Sequence, residues 1–346
     1  MSPADGFWGE AVDSYLGALG SGDRAAALEV VGRLRAEGHP SLDIMGRVLA
    51  PAQLRVGQLW VRDEFSVAQE HVATAITELV LGTLAAEHEA RADREPRTGP
   101  LVVVSCVEQE WHALPALMVA EYLRTDGIAV SYLGANSSAQ HLVRHIHELG
   151  PVAVLLSCSL SAFLTVVRRQ VEAVRETGTP VVVGGSGFDP GGRRARTLGA
   201  TAFASAGAEA AGIVRGLPRA VPPAGPLGHP GAAEAYLIFG DREALADEVE
   251  RMLLPRLRTE VQPDPWGEEP WLDVLDDQMP HLVGSVAGAL VADDPSVVAD
   301  TLTWVGTVLE NRSAPSGVGA ALRGALQDAM RDMPVASAML SAVGPG

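Results

Sequence analysis

The sequence predicts an α plus α/β protein in three parts: a helical bundle, a doubly wound parallel sheet and a second helical region. Three observations predict it. Apolar residues in positions 1–95 recur at helical spacing. Between 100 and 217, short runs of valine, alanine and leucine alternate with helical patterns, as βα units do. After a proline-rich stretch at 218–232, the helical pattern returns over 233–346. Apolar residues are 47% of the 346, enough for sizeable cores.

The bundle, 1–95, reads as four helices with short loops. The first covers about Phe7–Leu19 and ends at Gly20-Ser21-Gly22. The second repeats Ala27, Val30, Val31 and Leu34 at helical spacing. Ser41 is expected to cap a third, which carries Ile44, Val48 and Leu49 and runs past Pro51. The fourth covers about Ser66–Glu89, and Arg91–Pro100 reads as a linker. Strands are expected at Leu101–Cys106, Ala129–Leu133, Ala153–Ser157, Val181–Val183 and Ala202–Ala204. Helices between them fall near Leu114–Thr125, Ala139–Glu148, Leu160–Glu176 and Gly191–Leu198. The linker at 218–232 should be extended and semi-rigid. Beyond it, Asp241 caps a helix through Leu257, and Pro270–Val291 forms another with Pro280 as a kink or break. Asp294-Pro295 opens a helix through Leu309, and Gly319–Met333 supplies one more.

The formal net charge of −17 repels phosphate backbones, so nucleic acid is not an expected partner. The dense basic run Arg193-Arg194-Ala195-Arg196 reads as the solvated start of a helix. No apolar run reaches the length of a membrane span, and the N-terminus lacks a signal-peptide pattern. The two cysteines, Cys106 and Cys158, read as buried thiols. A cytoplasmic location, without membrane association, is the expectation.

Chemistry concentrates at the carboxyl ends of the strands, the edge where open α/β sheets bind ligands. The first strand leads into Glu110-Trp111-His112. A carboxylate on one imidazole nitrogen fixes the tautomer and prepares the other for a metal. The second strand ends in Leu133-Gly134-Ala135-Asn136, a tight turn. The third ends in Ser157-Cys158-Ser159-Leu160-Ser161, hydroxyls that open a helix. The fourth ends in Gly184-Gly185-Ser186-Gly187, where glycines let a planar group approach the backbone. Together they describe a polar slot beside a metal-binding histidine. His141 and His145 lie four apart on a helix but have no third convergent ligand, so they read as a solvated face.

On these residues, 1–217 resembles the cobalamin-binding module, a helical cap followed by a flavodoxin-like domain. The resemblance implies His112 as the lower ligand of cobalt and Glu110 as its hydrogen-bonded support. It implies that the displaced nucleotide tail of the cofactor is lined by Ser157, Ser161, Gly184 and Gly185, with Leu114, Leu133, Gly134, Asn136, Ser159 and Ser186 also in the site. Two positions depart from the family loop: Glu110 stands for Asp, and Pro115 stands for Gly. Trp60, Val67 and Glu70-His71 resemble the pocket of light-dependent adenosylcobalamin photoreceptors that repress carotenoid synthesis. There the tryptophan and the Glu-His pair enclose the adenosyl group. Val61 departs from the histidine that follows the tryptophan in those repressors. Their helix-turn-helix domain is not expected here, because the bundle begins near Met1.

The order of the parts resembles the photocobilins, which pair cobalamin with biliverdin in an adjoining helical domain. That likeness implies an all-helical, candidate globin-like domain over 233–346. Trp266, Trp271 and Trp304 would wall a bilin, His281 would face its pyrrole nitrogens, and Arg312 or Arg323 would hold its propionates. No cysteine follows Cys158, so a thioether link to this region is excluded. The expected function is a light sensor rather than an enzyme, signalling through light-dependent homo-oligomer assembly or a downstream signalling protein. The alternatives are a corrinoid methyl carrier of a methyltransferase system and a cobalamin store without photochemistry. A methyl group needs no adenosine pocket, so Trp60 and Glu70-His71 count against the carrier.

Overall fold

The computed structural model describes residues 3–92, 99–258 and 270–343, with side chains over 6–86, 99–257 and 270–343. Most of the expected Arg91–Pro100 linker, and Trp266, lie outside the described residues. The chain divides into two compact units, Met1–Thr98 with Glu121–Gly127, and Gly99–Ala120 with Ile128–Gly346.

The first unit is a bundle of α1 (Pro3–Gly20), α2 (Arg24–Ala36), α4 (Ala50–Val61) and α5 (Val67–Ala92). A one-turn α3 (Ser41–Ile44) and a π-helical turn, Met45–Leu49, lead into α4. In α2 the expected stripe Ala27, Val30, Val31 and Leu34 is buried, and Asp23 caps the helix by accepting from Ala26 N. Ser41 does not cap α3: Pro40 stands at the N-cap, and Ser41 is already inside the helix. Ser66 and Gln69 cap α5 reciprocally, each side chain accepting from the other's amide. The bundle centre is polar but satisfied. Buried Tyr15 pairs with Thr77 at 3.1 Å, and Gln53 donates to Thr77 at 2.6 Å and to Ala73 O at 3.1 Å.

The second unit is built on a five-stranded parallel sheet in the order β2-β1-β3-β4-β5. The strands are β1 (Leu101–Cys106), β2 (Ala129–Gly134), β3 (Ala153–Ser157), β4 (Val181–Gly184) and β5 (Ala202–Ala204). This is the flavodoxin-like fold, and its switch point lies between β1 and β3. The central strands β1 and β3 are buried along nearly their whole length, as strands covered on both faces must be. Helices α6 (Ala113–Thr125), α7 (Ala139–Leu149), α8 (Leu164–Glu176), α9 (Arg193–Thr197) and α10 (Ala210–Gly216) connect them. A 3-10 turn, Ser161–Phe163, precedes α8.

The same unit continues into α11 (Gly231–Gly240), α12 (Arg242–Arg258), α13 (Pro270–Ala292), α14 (Ser296–Glu310), α15 (Val318–Ala329) and α16 (Pro334–Ala342). α13 is central: every residue from Leu282 to Ala292 is buried. It packs on α11, α14 and α12, and also on α8 and the 3-10 turn. One apolar cluster therefore runs from Val103 in the sheet to Leu340 in α16. Pro280 does not break α13, which is helical throughout; its packing overrides the local penalty. Glu234 on α11 closes the region by accepting from Val335 N and Ala336 N at the start of α16.

The proline-rich segment is seated on the sheet unit instead of bridging free space. Arg168, 2% exposed, donates to Gly225 O, Arg175 donates to Pro222 O, and Val221 N donates to Gly178 O. Among the described residues no helix is long and apolar enough to cross a membrane.

Candidate functional site

The loops after β1 and β3 meet at the switch point, and Glu110 joins them. Its side chain is fully buried. Oε1 accepts from His112 N at 3.0 Å and lies 2.5 Å from His112 Nδ1. Oε2 accepts from Ser159 N at 2.7 Å and Leu160 N at 3.1 Å. Burial alone would raise this carboxyl, but the bonds from His112 and Ser159 outweigh it and hold it below the usual carboxylate range. Glu110 is thus an ionised acceptor with both oxygens committed. With Nδ1 on the carboxylate, Nε2 is the nitrogen through which His112 would coordinate a metal. The His112 side chain is 57% exposed, and Trp111 beside it 71%.

The loop that carries the pair is itself held. Gln109 takes a left-handed backbone, φ 71°, and its amide donates to Asn136 Oδ1. Asn136, also left-handed at φ 50°, returns its amide to Glu110 O. Gly134 ends β2 at φ 76°, and Leu133 is half-buried before it. Tyr132 Oη donates to Ala113 O, where α6 begins beside buried Leu114. Sequence reasoning passed over Gln170. Fully buried on α8, it accepts from Glu108 N and donates to Ser137 O, so it pins the loops after β1 and β2. The signal was there: an amide amid buried Val166, Val167, Val171 and Val174.

The serine and glycine turns pack directly against each other. Ser157 pairs with Gly184 across β3 and β4. Gly185 has φ 107°, and a Cβ there would collide with Cys158 O; one on Gly187 would come within 3.0 Å of the same oxygen. Only glycine allows this approach. Ser186 Oγ donates to Ser159 O at 2.9 Å. Ser161 begins the 3-10 turn. Cys106 and Cys158 are buried thiols. Burial and the Glu110 charge push Cys106 up to about 12 and raise Cys158 as well, so neither is a nucleophile.

In the other unit, Trp60 lies on the last turn of α4 and Glu70-His71 on the first turn of α5. The turn at 62–66 returns the chain, so these residues share one end of the bundle. His71 Nδ1 lies 2.5 Å from Glu70 Oε2, and Thr74 donates to Glu70 Oε1. Trp60 is half-buried and Val67 is 48% exposed.

Of the residues expected around a bilin, His281 lies on α13, Trp304 on α14 and Arg312 just past its end. His281 on α13 meets Phe163 edge-on, ring centroids 5.7 Å apart. Burial lowers its affinity for a proton. Trp304 on α14 is 39% exposed. Arg312, past the end of α14, is buried and donates to Val308 O. The basic run expected to be solvated is corrected at Arg194, which is 7% exposed and paired with Asp294.

The donor set fits a corrinoid. Among the described residues no group of three or more His, Cys, Asp and Glu side chains could hold a bare metal ion. A single oriented imidazole suits a metal that brings its other ligands. Glycine at 185 lets the turn after β4 seat on the Cys158 carbonyl, next to the loop that Glu110 holds.

Comparison with known proteins agrees. Residues 100–214 and residues 11–85 each match a family model described as B12 binding domain. The HTH-type transcriptional repressor CarH of Myxococcus xanthus is 32% identical over 184 residues, 50% of this chain and 57% of the repressor. The chain thus spans little more than half the length of that relative. The monomethylamine corrinoid protein of Methanosarcina barkeri shares the fold, with TM-score 0.51 and 21% identity over 59% of this chain and 96% of that one. A cobalamin-binding protein of Desulfitobacterium hafniense DCB-2 aligns at TM-score 0.34 and 19% identity, covering 59% and 97%. On the two family matches, residues 11–85 and 100–214 together form a cobalamin-binding module.

Proposed function

We propose that this protein is a light sensor that uses adenosylcobalamin and performs no reaction of its own as an enzyme. The observation that carries the cobalamin half is the Glu110–His112 pair at the switch point, with both carboxylate oxygens committed. The sensor half is supported by the likeness to a repressor of the CarH type and by Trp60 and Glu70-His71 at one end of the bundle.

Bound adenosylcobalamin would supply a cobalt–carbon bond that light breaks. Every other role falls to this chain. Glu110 holds Nδ1 of His112, the tautomer in which Nε2 would be free to hold cobalt. The Ser157–Ser161 and Gly184–Ser186 turns would hold the nucleotide tail through backbone and hydroxyl groups. Trp60 offers a face for adenine stacking, while Glu70 and His71 offer hydrogen bonds to the adenosine. Loss of the adenosyl group would leave that end of the bundle without its ligand, and the signal would pass to an assembly of copies of this chain or to a downstream protein. Biliverdin is the second chromophore in this reading, assigned to the helical region with His281, Trp304 and Arg312.

The test is spectroscopy on protein prepared in darkness with adenosylcobalamin and biliverdin, followed by green light and mass measurement in solution. A sensor shows photolysis with a change of oligomer mass, and a red-absorbing band reports the bilin. A corrinoid with no light-linked mass change points instead to a methyl carrier. A missing red band removes biliverdin alone.

A further inference from the structure

The turns after β3 and β4 are both held from behind by the C-terminal helices. The Ser157–Phe163 turn is tied on one side to Glu110 through the amides of Ser159 and Leu160. Its other side lies under α13. A Cβ on Gly288 would collide with Ser161 O, and one on Gly284 would sit 3.1 Å from the Ala162 Cβ. Glycine at both positions lets the helix seat directly on the turn.

An ion pair holds the Gly184–Gly187 turn. Arg194 Nη1 donates to Gly187 O at 3.2 Å. The same guanidinium reaches forward, Nε to Asp294 Oδ2 at 2.8 Å and Nη2 to Ser296 Oγ at 3.1 Å. Asp294 also meets Arg193 Nη2 at 2.6 Å and accepts from Ser296 Oγ at 2.7 Å. Arg194 and Asp294 are 7% and 2% exposed. A pair so buried is poor evidence of added stability, because desolvation offsets its attraction; what it supplies is fixed geometry. The two turns also brace each other, Gly187 N on Cys158 O and Ser186 Oγ on Ser159 O.

We propose that Arg194, Asp294 and the Gly284–Gly288 face of α13 are positioning residues for the nucleotide tail of cobalamin. They set the spacing of the two turns that receive it. The helical region would thus be part of the cofactor site, whatever it binds itself. This inference rests on the cobalamin reading above.

Cobinamide tests it, because it keeps the corrin and the cobalt but lacks the nucleotide. The full chain and its Asp294→Asn and Gly288→Ala variants are titrated in darkness with adenosylcobalamin and adenosylcobinamide. Asp294→Asn removes the charge at constant size. Gly288→Ala favours the helix itself while driving a methyl group at Ser161 O. The expected result is affinity for adenosylcobalamin weakened by roughly tenfold or more, with affinity for adenosylcobinamide unchanged. Retained cobinamide binding also shows that the variants fold. Equal weakening of both ligands would reduce these residues to a structural role, and no weakening would show that the turns hold themselves; either overturns the proposal. A native chain that binds both ligands equally has no working tail slot, which also overturns it. If the native chain binds neither, the cobalamin reading itself fails.

Discussion

At the scale of the residue, the molecule turns on one carboxylate that serves four donors. Glu110 takes the amide and ring of His112 on one oxygen and the amides of Ser159 and Leu160 on the other. That geometry separates charge from shape. Glutamine at this position has one acceptor and one donor. If its oxygen faces His112, its NH2 group faces two backbone donors, and a buried donor without an acceptor is costly. The expectation is that Glu110→Gln weakens cobalamin binding nearly as much as Glu110→Ala, by about 10–100-fold. Dark titrations of the two variants against the native chain check it. If Glu110→Gln bound like the native protein, shape alone would be sufficient and the ionised state irrelevant.

At the scale of the element, the Asp294–Arg194 contact joins the start of α14 to the turn after β4. Burial would raise the Asp294 carboxyl, but hydrogen bonds from Arg194, Ser296 and Arg193 hold it well below the usual carboxylate range. The sign follows from linkage. The folded value lies below the unfolded one, near 3.9, so the stabilisation is complete above about pH 4 and drains as pH falls through the folded value. Urea unfolding between pH 6 and pH 3 should therefore show Asp294→Asn less stable than the native chain at pH 6, with the gap starting to narrow below about pH 4. A gap that stayed constant would mean the carboxyl is not held low. This contact also marks where sequence reading stops. The five strands were legible because buried valine and alanine runs between turn residues have one good solution, and Glu110-x-His112 was legible because its spacing is local. Arg194 and Asp294 are 100 positions apart, and nothing periodic connects them. A basic run has the same local pattern whether it is solvated or paired, so Arg194 reads as surface until its partner is placed. Gly284 and Gly288 have the same difficulty, since a glycine inside a helix pattern does not name the backbone it admits.

At the scale of the whole molecule, the sequence draws a boundary in the proline-rich segment that packing does not respect. Composition marks 218–232 as a connector, and connectors usually separate bodies that can fold alone. Here Arg168 and Arg175 hold that segment to the sheet unit. The apolar cluster passes without interruption from the strands through α8 to α13 and on to α16. A fragment ending at Leu217 would leave Ala162 without Gly284, Phe163 without His281 and Gly187 without the partner of its arginine. Uncovering even three or four large apolar side chains forfeits on the order of 5–10 kcal/mol, comparable with the entire stability of a domain. Residues 1–217 expressed alone should therefore aggregate or unfold at a much lower urea midpoint than the full chain, despite containing both B12-binding segments. Gel filtration and urea unfolding of the fragment beside the full chain measure this directly. A monodisperse fragment with the midpoint of the parent would mean that the helical region rests on the sheet unit without supporting it. The shared core would then be contact without consequence, and the positioning role of α13 would lose its physical basis.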